Sequence, residues 1–187
     1  MLDITPPRLE TARLLLTWPS PSQIDEYHAA IIGTNMFDTI IWDGPSNPQE
    51  LHDWWSENRS LDPSDHRLHF NVAIIEASSN RYIGGASLRP VDRDPAIIDI
   101  GYALAPAFHG KGYATEAVGP LVEEAFAHRE AERIFGNAFV GNHASRRVME
   151  KVGFSLEGTQ RRTIRKRGIW IDQWMIAITR PDWEARR

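Results

Sequence analysis

The segment Pro106 to Ala117 allows few backbone conformations. Its sequence is Pro-Ala-Phe-His-Gly-Lys-Gly-Tyr-Ala-Thr-Glu-Ala. It follows a strand-like apolar run, Ile97 to Leu104, and precedes a helical pattern, Thr115 to His128. Small residues at Gly110 and Gly112 let the main chain approach a ligand. The first turn of a helix carries unpaired N–H groups and about half a positive charge, which attract phosphate. The segment therefore predicts a strand, a tight turn suited to phosphate and a helix in succession.

The turn differs from two common phosphate-binding motifs. It lacks the third glycine of the dinucleotide-binding pattern, and no acidic ribose-binding residue ends the next strand. It also lacks the Gly-Lys-Ser/Thr of the Walker loop. Lys111 nevertheless places a cation near the turn. From these residues alone, phosphate binding and a plain strand-to-helix turn both stay open.

Composition excludes several classes of function. Because the 187 residues include no cysteine, a disulfide framework, a thiolate metal site and a cysteine nucleophile are ruled out. The seven histidines show no metal-binding spacing, so no metal is predicted. A formal charge of −4 argues against direct nucleic-acid binding. The start does not resemble a signal peptide and no run of about eighteen apolar residues occurs, so we expect a cytoplasmic protein with no membrane segment.

The remaining pattern predicts strands and helices that alternate within one domain, residues 1–187. Strands are predicted at Ala12 to Trp18, His69 to Glu76, Tyr82 to Leu88, Ile97 to Leu104 and Arg133 to Val140, with two more about an Arg167-Gly168 turn. Helices are predicted from a Ser22 cap to Ile32, and at Pro48 to Leu61, Thr115 to His128 and Ser145 to Val152. Residues 92–95 are predicted to form a loop, and Pro120 is expected only near a first turn or at a kink. This order indicates a mixed α/β architecture.

The glycine segment resembles the acetyl-CoA-binding signature of the GNAT superfamily of N-acetyltransferases, Gln/Arg-x-x-Gly-x-Gly/Ala. Gly112 and Ala114 take the small positions, and His109 takes the Gln/Arg position. Three further segments resemble the branch that includes RimJ and RimL, the ribosomal-protein N-terminal acetyltransferases; they are Leu9 to Leu16, Asn142 to Phe154 and Asp172 to Met175. The resemblance covers the chain nearly end to end. It implies a single GNAT domain, an α/β (α+β) fold with a mixed, mostly antiparallel sheet of about six to seven strands, splayed at a bulge and flanked by about four helices.

The resemblance implies a site for acetyl-CoA as co-substrate. In this family the main chain of the strand before the loop bonds the pantetheine arm, which corresponds to Tyr102, Ala103 and Leu104. As side chains, Tyr102 and Leu104 fit core positions equally well. The pyrophosphate is implied to lie on main-chain amides of the turn, with His109 as an adjunct; these belong to Gly110, Lys111, Gly112, Tyr113, Ala114 and Thr115. Asn142 is implied to hydrogen-bond the co-substrate, although an asparagine before a helix is also an ordinary N-cap.

The resemblance also implies direct acetyl transfer to an amine. Ser145 matches the serine proposed in RimL-like enzymes to protonate the CoA thiolate, and a thiol pKa of about 8.5 makes that anion a tolerable leaving group. Helix capping is the alternative for Ser145. Ile164 and Asn137 occupy the family's base positions and Met149 the tyrosine-acid position of a sister branch, and none of them can serve. Asp99 is then the remaining carboxylate, acting through a water chain, with a structural hydrogen-bond role as the alternative.

The identity of the acceptor amine stays open between alternatives. An α-amine, with a pKa of about 7.7–8.0, is partly neutral at pH 7, whereas lysine, with a pKa of about 10.4, is almost wholly charged. An enzyme with a weak base therefore suits protein N-termini, which are the preferred acceptor. A small amine such as an amino acid, polyamine or antibiotic is the close alternative, and a non-catalytic acyl-CoA-binding module is a third. Either a monomer or a homodimer is compatible with the sequence.

Two further segments bear on the acceptor. Trp42 and Asp43 fall in the loop between the first two predicted helices, which covers the acceptor amine in this family. Trp42 is equally suited to filling a core. Between Arg161 and Arg167, five of seven residues are basic. This run indicates either a solvated strand edge that blocks sheet aggregation or a landing surface for an anionic partner.

Overall fold

Residues 5–59 and 62–187 are described by the computed structural model. The strands in this part of the chain are β1 Leu9–Glu10, β2 Leu14–Thr17, β3 Phe70–Glu76, β4 Arg81–Val91, β5 Asp94–Leu104, β6 Arg133–Phe139, β7 Ser155–Lys166 and β8 Ile169–Thr179. The α-helices are α1 Pro21–Ile31, α2 Pro48–Arg59, α3 Tyr113–His128, α4 His143–Val152 and α5 Arg180–Glu184. Within these residues the eight strands form one sheet in the order β1-β2-β3-β4-β5-β6-β8-β7.

The sheet opens between β5 and β6. These two strands are parallel, whereas every other neighbouring pair is antiparallel. They pair only where Ile97–Asp99 faces Arg133–Phe135. Beyond that point β5 stays paired with β4 up to Leu104, and β6 stays paired with β8 up to Phe139. The mixed, mostly antiparallel sheet with a splay is confirmed, and the splay is a V-shaped gap.

Helices pack on both faces of the sheet. On one face, Met149 of α4 lies against the Cα of Gly136 in β6, so β6 and α4 are in close contact. On the other face, Tyr27 of α1 stacks on Tyr82 of β4 with ring centroids 4.0 Å apart, and Trp55 of α2 meets the same ring edge-on. These aromatic contacts anchor α1 and α2 over β4. The second half of β5 is left partly uncovered on that face.

Helix α1 begins earlier than predicted because its cap lies outside the predicted pattern. Ser20 Oγ accepts a hydrogen bond from the Gln23 amide, and the Gln23 side chain accepts one from the Ser20 amide. Pro21 then takes the first helical position, where its fixed φ and missing N–H do no harm. The prediction that Ser22 caps this helix is therefore wrong.

Other predicted boundaries also shift. The predicted loop at residues 92–95 is wrong, because β4 and β5 turn at residues 92–93. The register shift between Pro90 and Val91 leaves Pro95 in a bulged segment, where a missing N–H is tolerated. Pro120 lies inside α3 and not near its first turn, which leaves a kink as the expectation for this residue. The short helix α5 was not predicted, and the predicted end of the second helix at Leu61 lies outside the described residues.

Candidate active site

The glycine turn leaves the start of α3 without a side-chain cap. Gly110 and Gly112 have φ values of +74° and +83°, the left-handed region that favours glycine. Gly112 is itself the N-cap residue, and within the described part of the chain no side chain caps the amides of the first turn. The helix begins at Tyr113, two residues earlier than Thr115. The main-chain amides at this end of α3 therefore point outward as a ready site for an anion.

An ion pair from the edge of the sheet supports this turn. The Arg13 guanidinium contacts Glu116 Oε2 at 2.6 Å and donates to the Lys111 carbonyl at 3.1 Å. Thr11 Oγ1 donates to the other Glu116 oxygen at 2.6 Å. Burial opposes ionisation of Glu116, but the bonds from Thr11 and Arg13 outweigh it and hold its pKa below the usual value. Sequence reasoning missed these roles, although Thr11 and Arg13 lie in the Leu9 to Leu16 segment that carries the family resemblance.

Two further contacts tie the turn to neighbouring strands. The Tyr113 hydroxyl donates to Glu76 at the end of β3, and bonds from Ser79 and Tyr113 lower the pKa of that carboxyl. His109 Nε2 lies 2.9 Å from the carbonyl oxygen of Leu104, where β5 ends. Lys111 is exposed, with Nζ 5.0 Å above the Phe108 ring. Side chains thus hold the turn in place and leave its amides free for a ligand.

The main chain of β5 borders the gap directly. Tyr102, Ala103 and Leu104 pair with β4 on one side and have no pairing to β6 on the other. Leu104 is buried, while Tyr102 and Ala103 are partly exposed. Their free edge can accept an extended ligand as if it were another strand. This edge leads through residues 105–109 to the glycine turn, so the predicted pantetheine and pyrophosphate sites are contiguous.

A pair of hydroxyl groups crosses the gap from β5 to α4. Tyr102 Oη lies 3.0 Å from Ser145 Oγ and 3.0 Å from the Ser145 carbonyl oxygen. Burial raises the pKa of Tyr102 to about 12, so this phenol keeps its proton at neutral pH. The structure therefore brings Ser145 beside the strand that borders the predicted co-substrate site.

Asn142 is the N-cap of α4. Its Oδ1 accepts a hydrogen bond from the Ser145 amide at 3.1 Å, which is the capping alternative stated above. The side-chain NH₂ group of Asn142 remains as its donor to a ligand. One turn after Ser145, Met149 is 2% exposed and packs on Gly136, so this position is filled by a core side chain.

Asp99 lies where the gap begins and forms an ion pair with Arg89. Arg89 Nη2 and Nε both contact Asp99 Oδ2, at 2.8 and 3.2 Å, and Nη1 donates to Ser87 Oγ at 2.9 Å. Within the described residues, the other carboxylate oxygen, Oδ1, has no hydrogen-bond donor among these contacts. The guanidinium lies directly over Gly101, whose Cα has no side chain to displace it. The structure thus gives Asp99 the structural bond that was its alternative role, with one oxygen left for another partner.

The loop between α1 and α2 is attached to the β7–β8 turn. Lys166, only 6% exposed, donates from Nζ to the carbonyls of Ile41 and Trp42, both at 3.3 Å, and to Asp43 Oδ1 at 2.7 Å. Arg167 contacts Asp43 at 3.0 Å and also Asp38 at 3.0 Å. Hydrogen bonding from Lys166, aided by Arg167, lowers the pKa of Asp43. We call Asp38, Asp43, Lys166 and Arg167 the latch.

The latch changes the interpretation of the basic run. Two of its five cations, Lys166 and Arg167, already face carboxylates of the same chain. Arg162 lies 5.3 Å above the Trp170 ring.

An open cavity of about 450 Å³ lies elsewhere, near Trp18 and Arg59, and has no residue in common with the glycine turn or the gap.

Fold and candidate site together give a splayed sheet in which the open edge of one strand leads to the uncapped start of a helix. A sequence profile of the acetyltransferase (GNAT) domain matches residues 13–155. The chain therefore belongs to the GNAT family, and the predicted family is confirmed. Among the described residues, no helix is long and apolar enough to cross a membrane.

Curated relatives and solved structures agree with this assignment. The probable N-acetyltransferase YjcK of Bacillus subtilis is 40% identical over 119 residues, which span 63% of this chain and 65% of that protein. The putative ribosomal N-acetyltransferase YdaF of the same organism is 31% identical over 154 residues, 75% of this chain and 84% of that protein. Spermidine N-acetyltransferase from Vibrio cholerae, solved with CoA and spermine, shares the fold with a TM-score of 0.76 at 16% identity, covering 93% of this chain and 99% of that one. The match thus spans just under two thirds of YjcK.

Proposed function

We propose that this protein is an N-acetyltransferase that moves an acetyl group from acetyl-CoA directly to a primary amine, and that its preferred acceptor is the α-amine of a protein N-terminus. The observation that carries the proposal is the continuous path formed by the free edge of β5 and the uncapped start of α3. This path matches the shape of CoA, whose extended arm ends in a pyrophosphate. The cytoplasmic location expected from the sequence stays a prediction.

Binding in this scheme relies on the main chain. The amides of Gly110 through Thr115 receive the pyrophosphate, and the free edge of β5 at residues 102–104 receives the pantetheine arm. The acetyl group then lies near the apex of the gap, where the strands separate after Asp99. Holding amine and thioester together at this point can supply about 7–11 kcal/mol of the barrier.

The transfer itself is a single displacement through a tetrahedral intermediate. The neutral amine attacks the thioester carbonyl, the C–N bond forms, and the C–S bond breaks with its electron pair going to sulfur. A main-chain N–H of β5 stabilises the oxyanion. Ser145 donates to the departing sulfur, and Asp99 Oδ1 accepts the amine proton through water. No acyl-enzyme step is needed, which agrees with the absence of cysteine.

Two observations support an N-terminal α-amine as acceptor. One oxygen of Asp99 is held by the Arg89 guanidinium at 2.8 Å, so only Oδ1 is left to act on the amine through water, an arrangement that suits an amine already partly neutral at pH 7. The relative YdaF carries a name that assigns it to ribosomal acetylation. Support for the small-amine alternative comes from the shared fold with the spermidine enzyme.

The test is release of CoA from acetyl-CoA with a panel of amines. One peptide has a free N-terminus and no lysine; its matched control has a blocked N-terminus and one added lysine; spermidine and free alanine represent small amines. We expect turnover with the free N-terminus and little with the control. Turnover with small amines alone would replace the preferred acceptor by the alternative. Tight CoA binding without turnover for every amine would indicate a non-catalytic module.

The role of Asp99 is tested by the pH profile of Asp99→Asn. If Asp99 accepts the amine proton, the variant loses rate most strongly at acidic pH, where the amine depends most on a base. Asp92→Asn, an exposed residue at the β4–β5 turn, is the matched control. A profile for Asp99→Asn that matches the wild type would remove Asp99 from the mechanism.

A further inference from the structure

The hydroxyl pair Tyr102–Ser145 has a geometry that helix capping does not require. Asn142 already satisfies the Ser145 amide, so the cap of α4 is complete without Tyr102. Tyr102 Oη nevertheless lies 3.0 Å from both the carbonyl and the side-chain oxygen of Ser145. Tyr102 of β5 thus contacts Ser145 of α4 across the gap.

We propose that Tyr102 is a positioning residue for the acid: it holds the Ser145 hydroxyl at the gap and renews its proton when sulfur departs. This inference rests on the proposed function, because it assumes that Ser145 faces the thioester of acetyl-CoA. It adds to that function a residue whose side chain the sequence left as an ordinary core position.

The contacts permit two arrangements of the protons. In the first, Tyr102 donates to the Ser145 carbonyl, and Ser145 Oγ–H donates to Tyr102 Oη. In the second, Tyr102 donates to Ser145 Oγ, and the serine proton is free to point at a ligand. Rotating each hydroxyl hydrogen about its C–O bond converts the first arrangement into the second without moving a heavy atom. The serine is thereby held in place while its proton is released toward sulfur.

The surroundings of the pair support this assignment. Burial raises the pKa of Tyr102 to about 12, so the phenol remains a donor across the neutral range. Met149, one turn further along α4, packs on Gly136 and has no proton to give. Tyr102 also belongs to the stretch of β5 whose main chain borders the gap. Tyr102 therefore belongs to the strand segment that borders the proposed thioester path, and Ser145 contacts it from α4.

The proton balance closes without another reactant. As the C–S bond breaks, Ser145 Oγ–H gives its proton to sulfur. Tyr102 Oη–H gives its proton to Ser145 Oγ. The amine proton goes through water to Asp99 Oδ1, which releases it to solvent, and solvent returns one proton to Tyr102. The amine loses one proton and the thiol gains one. Both hydroxyls are unchanged after each turnover.

The test combines Tyr102→Phe, Ser145→Ala and the double variant. Phenylalanine keeps the ring and removes the hydroxyl. We expect Tyr102→Phe to lower kcat roughly tenfold and Ser145→Ala roughly hundredfold. Because Tyr102 acts through Ser145, the double variant should resemble Ser145→Ala rather than show the product of the two losses. The Kd for CoA, measured by calorimetry, should stay within about twofold for Tyr102→Phe, since the main chain binds CoA.

The matched control is Tyr27→Phe, a buried tyrosine on the other face of the sheet, which should leave kcat within about twofold. Ser145→Thr, which keeps a hydroxyl, should recover part of the rate lost in Ser145→Ala. An active wild type with an equally active Tyr102→Phe would overturn the role of Tyr102 alone. The same holds if the losses simply multiply in the double variant. A wild type that binds CoA but transfers acetyl to no amine would overturn the proposed function and this inference with it.

Discussion

The proposed co-substrate site and the loop proposed to cover the acceptor are held in different ways. At the proposed co-substrate site, a contiguous segment supplies the strand end, the turn and the start of α3, and Arg13 and Glu116 only support it. At the loop between α1 and α2, the latch joins positions about 125 residues apart, with Lys166 reaching the carbonyl of Ile41. The site therefore depends on local main-chain conformation, and the loop depends on charges that meet only in the folded chain.

This difference separates two kinds of mutational effect. Substitutions in the glycine turn should change CoA binding and leave the acceptor loop in place. Substitutions in the latch should change acceptor use and leave CoA binding intact. Four experiments test this separation.

The largest effect is expected for Gly112→Val. A β-branched residue at φ +83° is strained by about 1–3 kcal/mol and also crowds the amides that face the ligand. We expect the Kd for CoA to rise about hundredfold, measured by calorimetry. The matched control is Gly168→Val, at φ +84° in the β7–β8 turn. It should lose similar stability but bind CoA normally; equal loss of CoA affinity in both variants would contradict the separation.

The next effect concerns the buried cation of the latch. Lys166→Met keeps the aliphatic stem but leaves two carbonyls and Asp43 without their donor. We expect the acceptor KM to rise roughly tenfold, a penalty of the size expected for lost hydrogen bonds to a charged group, with an unchanged Kd for CoA. Arg165→Met, an exposed cation on the same hairpin, is the control. A normal acceptor KM for Lys166→Met would show that the loop does not need its attachment.

A smaller effect is expected from salt. With Lys166 and Arg167 engaged in the latch, the cations left from the basic run are Arg161, Arg162 and Arg165. If those three bound phosphates of an RNA partner, affinity would fall roughly 40-fold between about 50 and 200 mM salt. We expect the acceptor KM to change by less than about threefold over that range, as for weak surface charges. A steep salt dependence would restore the anionic landing surface.

The smallest effect is a pH-dependent change in stability. The pKa of Asp43 is lowered in the folded protein, so its contribution is present above the unfolded value of about 3.9 and is lost as the pH falls through the folded value. The difference in Tm between wild type and Asp43→Asn should therefore shrink below about pH 4. Glu116→Gln is the counterpart on the co-substrate side, and its difference should shrink below about pH 4.3. A difference that is constant with pH would contradict the ion-pair origin of either contact.

Prediction from sequence succeeded where a local pattern sets the backbone. Gly110 and Gly112 indicated a tight turn before a helix, and the structure has that turn, with both glycines at positive φ. Arg167 and Gly168 indicated a hairpin turn and also have positive φ, as a two-residue turn of this kind requires. It failed at Ser22, because the cap of α1 is Ser20, whose bonds with Gln23 start the helix two residues earlier.

The sequence predicted only part of the candidate site, because some of its side chains meet only in the folded chain. The amides of the glycine turn follow from the helix start and needed no knowledge of the rest of the fold. The hydroxyl of Tyr102 gained its partner only because β5 and α4 meet across the gap. The sequence identified Asp99 as the candidate carboxylate. Its ion pair with Arg89, however, depends on the register of β4 and β5.

By itself, the sequence determined the succession of strand, glycine turn and helix, because residue type and spacing act directly on the main chain. It also excluded a cysteine nucleophile, because the chain has no cysteine. Only the tertiary structure decided which side chains meet: Tyr102 with Ser145, Lys166 with Asp43, and Arg13 with Glu116. The physical reason is that hydrogen bonds and ion pairs act over a few ångströms. Partners far apart in the chain become neighbours only when strand register and helix packing bring their faces together.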